Sequence, residues 1–237
     1  MPSNQDCYNG LINDFREKCH EWQEREIDAV FNKELCGKNI DEVKYIVVAD
    51  NPGENEKKYS TYLYEGDEGN RSGRIARQIF SLIFKDSPYL VLNKTPIYTQ
   101  ETEDLKKKDE SILKETMEYM ASLIFKINQI NKDIQVYIFG LGNSFDSENE
   151  CLRNNAIGKY FFGEINKLYD NAGLKIPIIA KHFSHYSLFQ DFMMEDHKIN
   201  VCQKMKFRDL CDANAANFLE AMESLPYRNW MKKHRKG

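Results

Sequence analysis

Val47-Val48-Ala49-Asp50-Asn51-Pro52-Gly53-Glu54-Asn55-Glu56 runs from an apolar, β-branched stretch straight into a tight polar turn. Far downstream, Ile178-Ile179-Ala180-Lys181-His182-Phe183-Ser184-His185-Tyr186-Ser187 follows the same plan, with a histidine at the exit. Each reads as a buried strand that stops at residues able to position water or stabilise charge. Ligands of open parallel sheets sit outside the carboxyl ends of the strands. A site built from two such ends needs Asn or Asp on one and His on the other, and both are present.

Outward from these segments, the chain alternates between two periods. Tyr45 to Ala49, Tyr89 to Leu92, Val136 to Phe139 and Ile176 to Ala180 are short, β-branched or aromatic runs and read as buried strands. Between them, Arg71 to Phe84 places Ile75, Ile79, Leu82 and Ile83 on one helical face. Glu110 to Ile130 does so with Ile112, Met117, Met120, Leu123, Ile124 and Ile127. Ile157 to Ala172 carries Phe161, Ile165, Leu168 and Tyr169, with Gly173 where a helix C-cap glycine belongs. Leu11, Phe15, Trp22, Ile27, Val30 and Phe31 give an N-terminal helical segment over about 5–35, and Asn200 to Leu225 reads as a closing helix. Strands alternating with helices predict an α/β fold, three-layer α/β/α, around a central four-stranded parallel sheet. No repeat, low-complexity stretch or linker divides the chain, so residues 1–237 are expected to form one domain ending in a basic tail at 231–237.

Composition narrows the class. Hydrophobic residues at 41% and charged residues at 30% describe an ordinary soluble chain. No apolar run approaches the roughly 20 residues of a membrane span, and the start lacks a secretory pattern, so no membrane partner and a cytoplasmic location are expected. Cys7, Cys19, Cys36, Cys151, Cys202 and Cys211 are scattered without a close pair. That argues for reduced, mostly buried thiols rather than disulfides, zinc or an iron–sulfur cluster. The net charge of -4 offers no global attraction to nucleic acid. Local basic runs, Lys106-Lys107-Lys108 and Lys232-Lys233-His234-Arg235-Lys236, read as solvated faces, although a small-footprint nucleic-acid enzyme can work through one local basic face.

Four pieces between about Tyr45 and Ser187, in this order, resemble the uracil-DNA glycosylase superfamily. Ala49-Asp50-Asn51-Pro52-Gly53 is similar to its water-activating turn, with Ala49 in place of the usual Gly. Asn51 lies where the catalytic Asn or Asp falls, and Asp50 where the iron–sulfur branch keeps a Glu. Asn-Pro-Gly is also a strong turn signal in its own right. Gly66-Asp67-Glu68-Gly69-Asn70-Arg71-Ser72-Gly73-Arg74 resembles the glycine-rich stretch before the superfamily's first long helix, and follows Tyr59, Tyr62 and Tyr64. Val91-Leu92-Asn93-Lys94-Thr95 resembles the strand end that reads uracil, where an amide offers a donor and an acceptor together. His182-Phe183-Ser184-His185-Tyr186-Ser187 resembles His-Pro-Ser-Pro-Leu-Ser, with Phe183 and His185 in place of the prolines and Tyr186 in place of the leucine wedge. Ile138-Phe139-Gly140-Leu141-Gly142-Asn143 is similar to a scaffold strand of the same fold.

The resemblance implies a uracil-DNA glycosylase-like fold and a hydrolase for DNA repair that flips a base out and excises it by cleaving its N-glycosidic bond. Asn51, Asp50 and His182 are the expected catalytic residues: Asn51 orients water, Asp50 assists, and His182 donates to the leaving base. Asn93 and Tyr62 are expected to bind the base, by edge hydrogen bonds and by stacking. Pro52, Ser72, Ser184, Tyr186 and Ser187 are expected to contact DNA. The expected partner is single-stranded or mispaired uracil-containing DNA, bound by a monomer, with no cofactor and no metal. Three alternatives stay open. One is a module on the same fold that binds a modified base or damaged DNA without cutting it. Another is an enzyme for a different nucleoside-type substrate, because a fold does not fix a function. The last is an α/β domain whose matches are coincidental turns.

Overall fold

The strands β1 (Tyr45–Ala49), β2 (Tyr89–Asn93), β3 (Gln135–Phe139) and β4 (Ile178–Ala180) pair in parallel in the order β2-β1-β3-β4. The computed structural model describes residues 2–64, 73, 76, 77, 80, 84, 87–140, 156–170, 172–175 and 177–180. The expected α/β class with a parallel sheet is therefore what the structure has. In β1, β2 and β3 every residue after the first is buried, so both faces are covered. This is why their sequences read as continuous apolar runs rather than alternating ones.

Register assigns the faces. Tyr45, Val47 and Ala49 of β1 lie beside Tyr89, Val91 and Asn93 of β2, and Val47 lies beside Tyr137 of β3. This face meets a helical stretch that includes Gly73, Ala76, Arg77, Phe80 and Phe84. Phe84 stacks on Tyr45 with ring centroids 4.1 Å apart, and Phe80 lies 5.6 Å from both Tyr89 and Phe139. Ile75, Ile79, Leu82 and Ile83, the residues that predicted this helix, lie outside the described residues. The opposite face, formed by Ile46, Val48, Leu90, Leu92, Val136 and Ile138, is fully buried as well.

Three longer helices are described in full or in part. α1 (Asn4–Glu24) starts at Ser3, whose hydroxyl accepts from the Asp6 N–H while the Asp6 carboxylate accepts from the Ser3 N–H, a capping box. Its buried face is Tyr8, Ile12, Phe15, Cys19 and Trp22. After the short α2 (Glu54–Tyr59), α3 (Glu110–Ile130) begins at Asp109, which accepts from the Ser111 and Ile112 N–H groups. α4 (Ala156–Tyr169) packs on α3, as α1 does, and α3 touches β2. No described helix is long and apolar enough to cross a membrane.

The helical segment expected over about 5–35 stops at Glu24. Glu26 takes a left-handed φ of 61°, and the Ile27 N–H turns back to the Trp22 carbonyl at 2.9 Å. The chain then runs along the outer edge of β2 and the residues after it. Asn32 donates to the Val91 carbonyl at 2.9 Å, the Val30 N–H donates to the Pro96 carbonyl at 2.9 Å, and Ala29 bridges Ile97. This stretch covers a sheet edge that would otherwise stay open, while the Phe31 ring packs on Phe15 of α1 at 5.5 Å. Of the described thiols only Cys19 is buried; Cys7 and Cys36 are exposed, against the expectation of mostly buried thiols.

Candidate functional site

The carboxyl ends of β1, β2 and β3 converge on one lysine. Ala49 and Asn93 are register partners, so Asp50 and Lys94 leave neighbouring strands side by side. The Lys94 N–H donates to the Ala49 carbonyl at 2.9 Å and the Asp50 carbonyl at 3.1 Å. Its side chain is only 2% exposed. The ammonium donates to the Asp50 carboxylate, to the Phe139 carbonyl at 2.5 Å and to the Gly140 carbonyl at 2.9 Å. Gly140 meets it with a φ of +71°, a conformation that suits glycine. All three ammonium protons are thus engaged, and one residue ties three strand ends together. Breaking such a buried pair is costly even where forming it gains little.

Beside this clamp, the turn after β1 is held by α2 and by the segment after β2. Asn51 Nδ2 donates to Thr99 Oγ1 at 2.8 Å, with the Pro52 and Ile97 carbonyls at 3.2 and 3.5 Å. Thr99 hands its own hydroxyl proton to the Glu101 carbonyl at 2.7 Å. The nitrogen side of the Asn51 amide is therefore anchored. Its Oδ1 is buried and without a hydrogen-bond partner. The Gly53 N–H donates to Glu56 Oε2 at 2.6 Å, which closes the first turn of α2. The other Glu56 oxygen accepts from the Leu63 N–H and draws residues 60–63 toward the turn. Burial pushes the Glu56 carboxyl above its usual range, while the Gly53 and Leu63 N–H groups and the Arg77 charge oppose that shift.

Asn93 is the anomaly. It is 1% exposed, yet neither its Oδ1 nor its Nδ2 has a hydrogen-bond partner. Among the described residues, Asn51 and Asn93 are the only two that leave buried side-chain atoms unpaired in this way. A buried polar atom without a partner costs about 1–3 kcal/mol, so native proteins keep few of them and keep them for a reason. Both lie at the same end of the sheet, one residue past β1's neighbour Asp50 and on the last residue of β2.

Placement of the other expected site residues is mixed. Asp50 is at the site, ion-paired with Lys94. Tyr62 is fully buried, and its hydroxyl donates to the Val30 carbonyl at 2.5 Å. The exposed aromatics of that stretch are Tyr59, 37% exposed, and the half-buried Tyr64, stacked at 4.2 Å. Pro52 is also buried, with its carbonyl accepting from Thr99 and Asn51. His182, Ser72, Ser184, Tyr186 and Ser187 lie outside the described residues.

Two residues that shape this end of the sheet escaped the sequence reading. Glu56 had a visible signal, since a Glu three residues after the helix-starting Gly53 is half of a capping box. Lys94 had none beyond its place after Asn93. A lysine is ordinarily exposed, and its burial depends on acceptors 44 to 46 residues away. No protein-family model matches this chain, and neither does any curated protein or solved structure.

Proposed function

We propose that this chain is a DNA glycosylase-like hydrolase that cleaves the N-glycosidic bond of uracil or a related damaged base, on a three-layer α/β/α fold of the uracil-DNA glycosylase type. The observation that carries the reading is the buried Asn93 amide, unpaired at both atoms, at the same carboxyl end of the sheet as the unpaired Asn51 carbonyl. A flipped base offers hydrogen-bonding groups that such an amide lacks in the protein.

In the proposed reaction Asn51 Oδ1 accepts a hydrogen bond from water and directs the water's oxygen at the sugar carbon C1′. The C1′–N bond breaks with its electron pair moving onto the base, while the water oxygen bonds to C1′. The surplus proton of the water passes to solvent, and the base anion takes a proton as it leaves. Asn51 cannot accept that proton itself, because an amide is not a base at neutral pH. Asn93 holds the base edge. His182, two residues beyond β4 in the sequence, is assigned the donor to the developing negative charge. The proposed partner is single-stranded or mispaired DNA, bound by a monomer.

A second reading has its own observation. The Asp50 carboxylate is held by the buried Lys94 ammonium. That favours a module which binds an extruded base on the same site without hydrolysing it.

Incubation with single-stranded and G·U oligonucleotides, followed by scoring of abasic sites, separates the two. Release of uracil that falls by about 10²–10³ in Asn93→Ala supports the enzyme, a loss of the size seen when one preorganised polar contact is removed. Base-dependent binding without release supports the module. Neither binding nor release discards both.

A further inference from the structure

The outer edge of β2 carries a cavity of about 300 Å³, on the amino half of the strand and so away from Asn51 and Asn93. Asn32 closes the edge at Val91, and from there the cavity runs back to Ser87. It is bounded by the short 3-10 turn Lys33–Leu35 and by the helical stretch that carries Arg77 and Phe80. Arg77 is a pinned charge in its wall. Nε donates to the Leu63 carbonyl at 3.1 Å, and Nη2 donates to the Tyr62 carbonyl at 3.0 Å and to Glu34 Oε2 at 2.5 Å. These bonds use three of the five guanidinium protons. Nη1 keeps two, and its one partner among the described residues is the Tyr89 hydroxyl, at a long 3.4 Å. That hydroxyl accepts there and has its own proton still to give. Lys38 lines the same cavity, and its ammonium has no partner among the described residues.

We propose that this cavity binds a small organic oxyanion, a carboxylate or a phosphate monoester on a flat apolar body. The proposal stands apart from the glycosylase reading and holds whichever way that reading falls. Its unspent polar groups at Arg77, Tyr89 and Lys38 are donors, and a carboxylate or phosphate oxygen only accepts. Two cations line the cavity against one anion, Glu34, whose charge is already spent on Arg77. Leu35, Phe80 and Pro88 supply the apolar side. The guanidinium is fixed by the fold before a ligand arrives, so binding pays little to order it. The volume sits at the lower end of the range for ligand pockets, which suits a body of one ring.

The test uses the isotope-labelled full chain, titrated with benzoate, phenyl phosphate and the neutral benzyl alcohol and followed by backbone amide shifts. The expected result is a dissociation constant of about 1 mM or below for at least one of the anions, with benzyl alcohol at least about tenfold weaker. The perturbed amides should cluster in 32–38 and 87–91. Tyr89→Phe keeps the ring and removes one donor, and should weaken the anion by about tenfold. Glu34→Gln frees the Arg77 charge and should strengthen binding by about threefold. A loss of folding cannot move the two variants in opposite directions, and denaturant unfolding checks that both are folded. Whichever anion binds more tightly names the head group. Benzyl alcohol binding as tightly as the anions overturns the proposal, as does a shift pattern centred elsewhere. So do affinities unchanged in both variants, or no binding of either anion at about 10 mM.

Discussion

The two ends of the parallel sheet treat the same side chain in opposite ways. At the amino end, where β1 and β3 begin, asparagines are saturated. Asn131 Nδ2 donates to the Ile40 and Val43 carbonyls at 2.8 and 3.1 Å, and Asn128, fully buried, uses both ends of its amide. At the carboxyl end, Asn93 is as deeply buried and uses neither end, and Asn51 leaves its oxygen unpaired. Elements are joined at the amino end, and each amide replaces a backbone partner that the turn cannot supply. The carboxyl end carries a polarity that the fold itself does not use. The difference separates asparagines that hold the structure together from asparagines that the structure merely holds in place.

The largest effect expected is at the frame of the carboxyl end. Lys94→Met leaves the Asp50 carboxylate and the Phe139 and Gly140 carbonyls without their ammonium, and should cost about 3–5 kcal/mol in urea unfolding. Pairing it with Asp50→Asn should recover part of that loss, because the unpaired charge is then gone. Equal stability of single and double variants would show that Lys94 does not clamp the strand ends through Asp50.

Next in size comes the contrast between the two ends. Asn128→Ala strips the Tyr169 hydroxyl and two carbonyls of their partner and should cost about 3 kcal/mol. Asn93→Leu removes two orphaned atoms and should leave the protein as stable as before, or more stable by about 1 kcal/mol, while removing the proposed base-dependent function. A destabilisation at Asn93 as large as that at Asn128 would abolish the distinction between the ends.

The smallest effect is a control at the surface, where Arg25 grips Glu115 with two hydrogen bonds of 2.8 and 2.9 Å and the Trp22 indole N–H adds a third at 2.8 Å. The Arg25 and Trp22 hydrogen bonds draw the Glu115 carboxyl from its ordinary 4.5 down to about 2. A lowered folded-state value contributes stability above pH about 4.5, lost as the pH falls toward about 2. Glu115→Gln should therefore flatten the stability profile across that window. Its cost at neutral pH should stay below about 1 kcal/mol, because the pair is partly exposed and screened. An unchanged acid limb would mean that the grip does not persist in solution.

The sheet was legible because its strands are local. Tyr45 to Ala49 is the same in sequence and in structure, and Glu110 to Ile130 coincides with α3, since unbroken apolar or 3.6-residue periods signal themselves. The stop of α1 was not legible. Ile27, Val30 and Phe31 continue an apolar spacing, but their stretch leaves the helix to run along the edge of β2, where Asn32 and Ala29 meet partners some 60 residues on. The site was half legible. Asn51 and Asn93 stood out as polar residues ending apolar runs. Tyr59, Tyr62 and Tyr64 were interchangeable on paper, and only packing put Tyr62 in the core and left its neighbours stacked outside.

By itself, the sequence determined which residues form strands and helices and that β1 and β2 end in amides, because hydrophobic period and turn chemistry act over a few residues. Only the tertiary structure decided that Lys94 is buried on Asp50 and the end of β3, that Tyr62 faces inward, and that the Asn93 amide is sealed from water without a partner. Those outcomes depend on groups 30 to 60 positions apart being brought within hydrogen-bond reach, or being kept out of it, and no local pattern encodes that.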